Sequence, residues 1–263
     1  MKFGSLFCGV GGFDLGFEQA GLKCFWQVEH NKQCLDLLHE KWPDVAKWTD
    51  VKSFAQICNE AHAVDLICGG DPCPKHGNAR RGQPSAHPDL SGYFLAVAGR
   101  LRPRWVVREN VPSPTVDEFA TALAALGYGT IIVGVNASSF VPQNRIRSFV
   151  IGRFGTDWRM LRKMFPQSCH VRKPSQKGFA MAEVSSTLVS RWSTNNADQT
   201  YVLEVGRARV FDGSERASIA GFPRDWAARF SLNCQARMYG NSVCPPVAKF
   251  LAAAILEYER NHA

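Results

Sequence analysis

The sequence predicts an α/β fold: a mostly parallel, doubly wound sheet with helices on both faces and a small, reduced second lobe. Three observations carry that expectation. Strand-like and helix-like segments alternate from the N-terminus to about residue 153, the order that builds parallel sheets. The 263 residues suit one full core plus a small lobe rather than two equal domains. From about Thr156 to Glu183 the alternation breaks, where Arg159, Arg162, Lys163, Arg172, Lys173 and Lys177 crowd a stretch that also holds Pro166 and Pro174. The expected division is a main domain of 1–153 plus 236–263, with 154–235 as the lobe.

Lys2–Phe7 reads as the first strand, Phe13–Ala20 as a helix and Lys23–Val28 as the second strand. Asn31–Lys41 has helical spacing, and a third strand precedes Asp50. Val64–Cys68, Trp105–Val107, Gly129–Val135 and Ser148–Gly152 are further strands, with helices at Gly92–Leu101 and Thr115–Leu126 between them. Ser186–Val189 and Thr200–Val205 read as short strands, and Ser214–Ala220 as a short helix stopped at Gly221-Phe222-Pro223. Pro245–Arg260 is a strong final helix, with Pro at its start, apolar residues at helical spacing and no internal glycine.

A hydrophobic content of 45% with 17 Phe and 7 Trp belongs to a globular protein. No apolar run approaches the ~20 residues of a membrane span. The N-terminus lacks the apolar core of a signal peptide, so a cytoplasmic protein is expected. The nine cysteines contain no Cys-x-x-Cys pair, so neither a disulfide scaffold nor a structural zinc site is expected, and most should be small buried thiols. A formal charge of +8 favours a polyanionic partner, although many basic proteins are simply soluble.

Parallel sheets bind ligands at the carboxyl ends of their strands, and two chemical constellations fall there. Phe7, Gly9, Val10, Gly11 and Gly12 form a glycine loop after the first strand and open a helix. Glu29 closes the second strand, where an acid commonly accepts hydrogen bonds from a ribose diol, and Asp50 with Val51 follows the third strand. The loop suits either a dinucleotide or an adenosyl donor. Asp14 at the helix start would repel a pyrophosphate, which tilts the reading toward a cationic sulfonium donor. The second constellation pairs Pro72-Cys73, after one strand, with Glu109-Asn110-Val111, after the next. A sulfur nucleophile and a proton-handling carboxyl at one rim are what covalent attack on an electron-poor ring requires.

Together these motifs resemble the cytosine-5 DNA methyltransferases, over nearly the whole chain and in the family's order. The matching segments are Phe7–Gly12, Pro72-Cys73, Glu109-Asn110-Val111, Gln143-x-Arg145-x-Arg147, the Arg216 to Pro223 segment, and Gly240-Asn241-Ser242-Val243. The resemblance implies a Rossmann-like methyltransferase fold, S-adenosyl-L-methionine as donor, DNA as partner, and a bacterial or phage origin; the sequence leaves the oligomeric state open, with a monomer favoured. It implies that Cys73 adds to carbon 6 of a flipped cytosine while Glu109 holds ring nitrogen 3 and the exocyclic amine. Asn110 would hold the Pro72-Cys73 turn. One of Arg145 and Arg147 would meet the cytosine O2 and the other a loop or phosphate. His30, Asp71, Tyr93, Asn241, Ser242 and Val243 join the expected cofactor set. Lys75, Arg80, Arg81, Gln143, Arg172 and Lys173 are the expected nucleic-acid contacts, and no metal is expected.

The chain departs from the family where Gly70-Asp71-Pro72-Cys73-Pro74 stands in place of Gly-Pro-Pro-Cys-Gln, and where His30 replaces a common aromatic. Its recognition region is also short, which implies short, relaxed or partner-supplied specificity, or a single-stranded substrate. An RNA cytosine-5 methyltransferase, a non-catalytic nucleic-acid-binding module and a nicotinamide oxidoreductase are the competing readings.

Overall fold

A computed structural model describes residues 1–72, 89–165, 201–204 and 207–262. Seven strands form the central sheet: β1 (Lys2–Leu6), β2 (Lys23–Val28), β3 (Ala46–Trp48), β4 (Leu66–Gly69), β5 (Trp105–Asn110), β6 (Tyr128–Asn136) and β7 (Ile146–Phe154). They lie in the order β3-β2-β1-β4-β5-β7-β6. β7 runs antiparallel to both β5 and β6, and the other neighbours are parallel. The connections carry helices α1 (Gly12–Gln19), α2 (Lys32–Lys41), α3 (Val51–Ile57), α4 (Ser91–Leu101) and α5 (Pro114–Ala125). Then follow the short α6 (Trp158–Leu161), a two-stranded antiparallel ribbon of β8 (Tyr201–Glu204) and β9 (Arg207–Val210), and helices α7 (Gly213–Ile219), α8 (Leu232–Gly240) and α9 (Pro245–His262). The strand read at Ser186–Val189 lies outside the described residues.

Alternate residues of each central strand feed two separate cores, which is why these strands read as unbroken apolar runs. Leu66, Cys68, Trp105, Val107, Phe149 and Ile151 pack in one layer with residues of α1, α2 and α9. The residues between them, Ile67, Val106 and Val150, pack in the other with residues of α3, α4 and α5. β6 and β7 extend beyond the apolar segments seen in the sequence, because β7 is paired on both sides and the ladder carries polar Arg147, Ser148 and Arg153 into the strand.

From β1 the chain winds outward to β3, then returns to place β4 on the other side of β1. That reversal leaves a crevice at the carboxyl ends of β1 and β4, the usual ligand position in open α/β sheets. Reversed β7 begins at the same rim: it pairs Phe149 with Glu109 and Ser148 with Asn110, so Arg147 arrives beside the end of β5.

Helix α9 ties the molecule together. Near its start, a side chain on Gly16 of α1 would stand 2.3 Å from the Pro245 carbonyl oxygen and 2.6 Å from Ala248 Cβ. At its far end Glu259 accepts from Trp105 Nε1 at 3.2 Å and Arg153 Nε at 3.1 Å, and pairs with Arg104. Within the segment expected to form a lobe, Ala217, Phe222 and Trp226 join the same core layer as Val10 and Val247. Trp226 Nε1 donates to the Val10 carbonyl at 2.9 Å, and its ring meets Trp42 edge-on at 5.8 Å. Among the described residues no helix is long and apolar enough to cross a membrane.

Gly16→Val should cost about 1–3 kcal/mol of unfolding free energy by overpacking the α1–α9 contact. Gly92→Ala, with open space around it in α4, should be neutral or stabilising. Urea titrations of both variants check this, and an unchanged midpoint for Gly16→Val would contradict the packing described.

Candidate active site

The loop after β1 owes its shape to left-handed backbone. Phe7, Gly9 and Gly11 have φ of 54°, 55° and 81°. Side chains at Gly11 and Gly12 would strike the Trp42 ring at 2.5 Å and the Val243 carbonyl oxygen at 2.2 Å, so both glycines let the loop seat against its neighbours. At Gly9 a side chain would meet nothing within 4 Å, and the chain there borders open space. Val10 is fully buried under the loop.

Glu29 stands beside this opening. One carboxylate oxygen accepts from Gly9 N and the other from Asn31 N, both at 2.7 Å. Burial pushes its carboxyl up, while the bonds from Asn31 and Gly9 act in the opposite sense. Each oxygen keeps a lone pair for a further donor. Asp50 caps α3 by accepting from Ser53 N at 3.0 Å and Ser53 Oγ at 2.7 Å, followed by buried Val51. His30 is exposed, with Nδ1 3.3 Å from Thr49 O. Tyr93 is half-buried, and the Lys52 ammonium lies 6.0 Å from its ring centre.

Asp14 does not bear on a ligand at this loop, contrary to the inference drawn from its place at the helix start. Its fully buried carboxylate points down into the core and accepts from Gln27 Nε2 at 2.8 Å and Ser5 Oγ at 3.0 Å. Desolvation raises its pKa to about 6 against those bonds, and Gln27 Oε1 beside it has no hydrogen-bond partner.

The second constellation gathers where β4, β5 and β7 meet. Glu109, at the end of β5, forms an ion pair with Arg147 of β7, Oε1 to Nε 2.9 Å. Its other oxygen lies 2.8 Å from where a Gly70 side chain would begin, so the acid abuts the chain three residues before Cys73. Asn110 Nδ2 donates to the Asp71 carbonyl at 3.2 Å, just before exposed Pro72. The Asp71 carboxylate is engaged by Arg108. A pocket lined by Glu109, Arg147, Phe149, Val243 and Val247 joins the acid to the turn before α9.

Arg145 and Arg147 have different partners. Arg145 is buried and donates to Gly240 O through both Nη1 and Nη2 at 3.0 Å, and to Ser242 O at 2.8 Å, which clamps the Gly240–Val243 turn. Burial, and then neighbouring Arg147, pull its pKa down to about 10. Within that turn Ser242 Oγ donates to Tyr239 O at 3.0 Å, and exposed Asn241 ends α8. Gln143 is buried, and its Nε2 has no hydrogen-bond partner in the structure. Cys73, Lys75, Arg80, Arg81, Arg172 and Lys173 lie outside the described residues. Arg108, which the sequence reading passed over, is a further charged residue built into this rim; a lone arginine inside an apolar strand was its sign.

Comparison with known proteins accounts for this combination of a seven-stranded sheet with one reversed strand and an acid at its rim. The family model for C-5 cytosine-specific DNA methylases matches residues 1–177 and 156–257. The chain is 27% identical to the type II methyltransferase M.HindV of Haemophilus influenzae, across 99% of this chain and 98% of that one. It is also 27% identical to the type II methyltransferase M.HgiDI of Herpetosiphon aurantiacus, across 98% and 95%. Among solved structures, the Entamoeba histolytica methyltransferase EhMeth superposes with a TM-score of 0.72 at 15% identity, covering 100% of this chain and 98% of that one, which shows the shared fold. The chain belongs to the C-5 cytosine-specific DNA methylase family. It is accordingly a DNA cytosine-5 methyltransferase.

Because the folded-state pKa of Asp14 lies above its unfolded value of 3.8, the unfolded chain releases this proton first as pH rises. Its contribution therefore favours folding at low pH and is lost between about pH 4 and 6. Asp14→Asn should gain stability relative to the parent across that window, by up to about 1.4 kcal/mol per pH unit, and hold the difference above it. Urea unfolding of both proteins at pH 4, 5, 6 and 7 reads this, and a pH-independent difference would contradict it.

Proposed function

We propose that the protein transfers a methyl group from S-adenosyl-L-methionine to carbon 5 of a cytosine flipped out of DNA, through a covalent adduct between Cys73 and carbon 6. The observation that carries this reading is the Glu109 carboxylate, held by Arg147 and pressed against Gly70 at the strand end that leads into Cys73. The open space at Gly9 and the spare lone pairs of Glu29 fit an adenosyl donor, with the Gly240–Val243 turn closing the far side. When bound, that donor supplies an electrophilic sulfonium methyl group.

The remaining work falls to this chain's side chains. Carbon 5 of cytosine is a weak nucleophile. Addition of the Cys73 thiolate to carbon 6 converts the ring into an enamine, and Glu109, donating a proton to nitrogen 3 and accepting from the exocyclic amine, offsets the negative charge that builds on the ring. Once carbon 5 carries the methyl group, a base takes its proton, the carbon 6–sulfur bond breaks and the thiolate leaves. Burial pushes up the thiols of Cys8, Cys24, Cys34, Cys58, Cys68 and Cys244, and such protonated thiols are poor nucleophiles. The sequence around Cys73, with Lys75, Arg80 and Arg81, is a better setting for a thiolate.

Residues 154–235 are proposed to hold a small recognition lobe, its end from Ala217 onward packing on the main core, with Arg172 and Lys173 on phosphates; Gln143, before this range, is proposed to lie beside the substrate. So short a lobe favours short or relaxed specificity, a partner that supplies recognition, or single-stranded DNA. Likeness to two type II methyltransferases supports a role in restriction-modification.

Incubation with tritiated donor and matched DNA and transfer-RNA pools should label DNA cytosine at carbon 5, whereas label confined to RNA would overturn the substrate assignment. Cys73→Ser should abolish transfer. Glu109→Gln should lower it by about 10²–10⁴ while the donor still binds.

A further inference from the structure

Asp71 and Arg108 form an ion pair whose side chains are 0% and 1% exposed. The guanidinium engages the carboxylate as a fork, Nε to Oδ1 at 2.5 Å and Nη2 to Oδ2 at 2.7 Å. Nη1 donates to Thr115 O at 3.3 Å, and the Arg108 guanidinium lies 4.4 Å from the Phe119 ring centre. The pair is thus locked on three sides. Asn110 adds a second grip on the same residue through the Asp71 carbonyl. The residues before and after Glu109 therefore both hold Asp71, and Glu109, on the alternate face of the strand, abuts Gly70.

A buried ion pair generally adds little net stability over packed apolar side chains, because both charges must be desolvated. What a bidentate fork does provide is a fixed distance and orientation. Here it links the end of β4, two residues before Cys73, to the strand position next to Glu109. Asp71 is also one of the positions where the chain departs from its family's usual Gly-Pro-Pro-Cys-Gln. Both Asp71 oxygens are engaged by Arg108 and the side chain is fully buried.

We propose that Asp71 and Arg108 are positioning residues that set the separation between Glu109 and the start of the Cys73 segment, an inference that rests on the roles given above to Cys73 and Glu109. Arg108→Lys keeps the cation but cannot form the fork. The double variant Asp71→Asn with Arg108→Met leaves no buried charge uncompensated, so it carries the test should the lysine variant not fold. The measurements are single-turnover methyl transfer at saturating DNA and donor, affinity for S-adenosylhomocysteine, and thermal midpoint. Transfer should fall about ten- to hundredfold in each folded variant, with S-adenosylhomocysteine affinity kept within about twofold, since small misplacements of reacting groups carry penalties of that order. Parental transfer rates in a folded variant would overturn the proposal alone. Weakened S-adenosylhomocysteine binding with transfer intact at saturation would assign Asp71 to the donor instead. Absence of transfer by the unsubstituted protein would remove the reading of function, and this inference with it.

Discussion

Six strands of the sheet run one way and must end at one rim, and reversed β7 must begin there. Every chemical feature of the molecule depends on that constraint. It brings the glycine loop after β1, the Gly70-Asp71-Pro72 exit from β4, Glu109 at the end of β5 and Arg147 at the start of β7 to a common edge. Without the antiparallel placement of β7, Arg147 would sit at the opposite end of the sheet and Glu109 would lack its partner. Residues far apart in the chain thus become neighbours through strand direction alone.

Helix α9 and the turn before it convert that edge into a walled site. Arg145 supplies three hydrogen bonds to the Gly240 and Ser242 carbonyls, and the turn in turn occupies the space left free by Gly12. The cost is a guanidinium removed from water, visible in its lowered pKa. Asp14, Asp71, Arg108 and Arg145 are all buried around or beneath this rim, each with bonded partners. Buried charge is expensive unless paired, so their concentration here marks the region where geometry outranks economy of solvation.

Much of this was legible in the sequence, for reasons that differ by element. Apolar runs such as Leu66–Cys68 and Trp105–Val107 announce strands because both faces are buried, and the order of motifs carries the family. Helix α3 and helix α8 escaped notice, although Asp50 and Ser231 cap their starts. Sequence spacing does not tell Arg145 from Arg147: one anchors a turn and the other meets the acid, because the choice depends on carbonyls presented by residues nearly a hundred positions away. Nothing in a linear string pairs Asp71 with Arg108, so that ion pair was not legible. Asp14 looked like a deterrent to anions because helix position does not reveal that its side chain points into the core.

The most direct test of the account is the species formed with DNA carrying 5-fluorocytosine, in which the proton at carbon 5 that must leave is replaced. In the presence of S-adenosyl-L-methionine the protein should become covalently joined to that DNA, and peptide mass analysis should locate the bond on Cys73. Methylation of ordinary DNA without any such adduct, or an adduct on another residue, would contradict it.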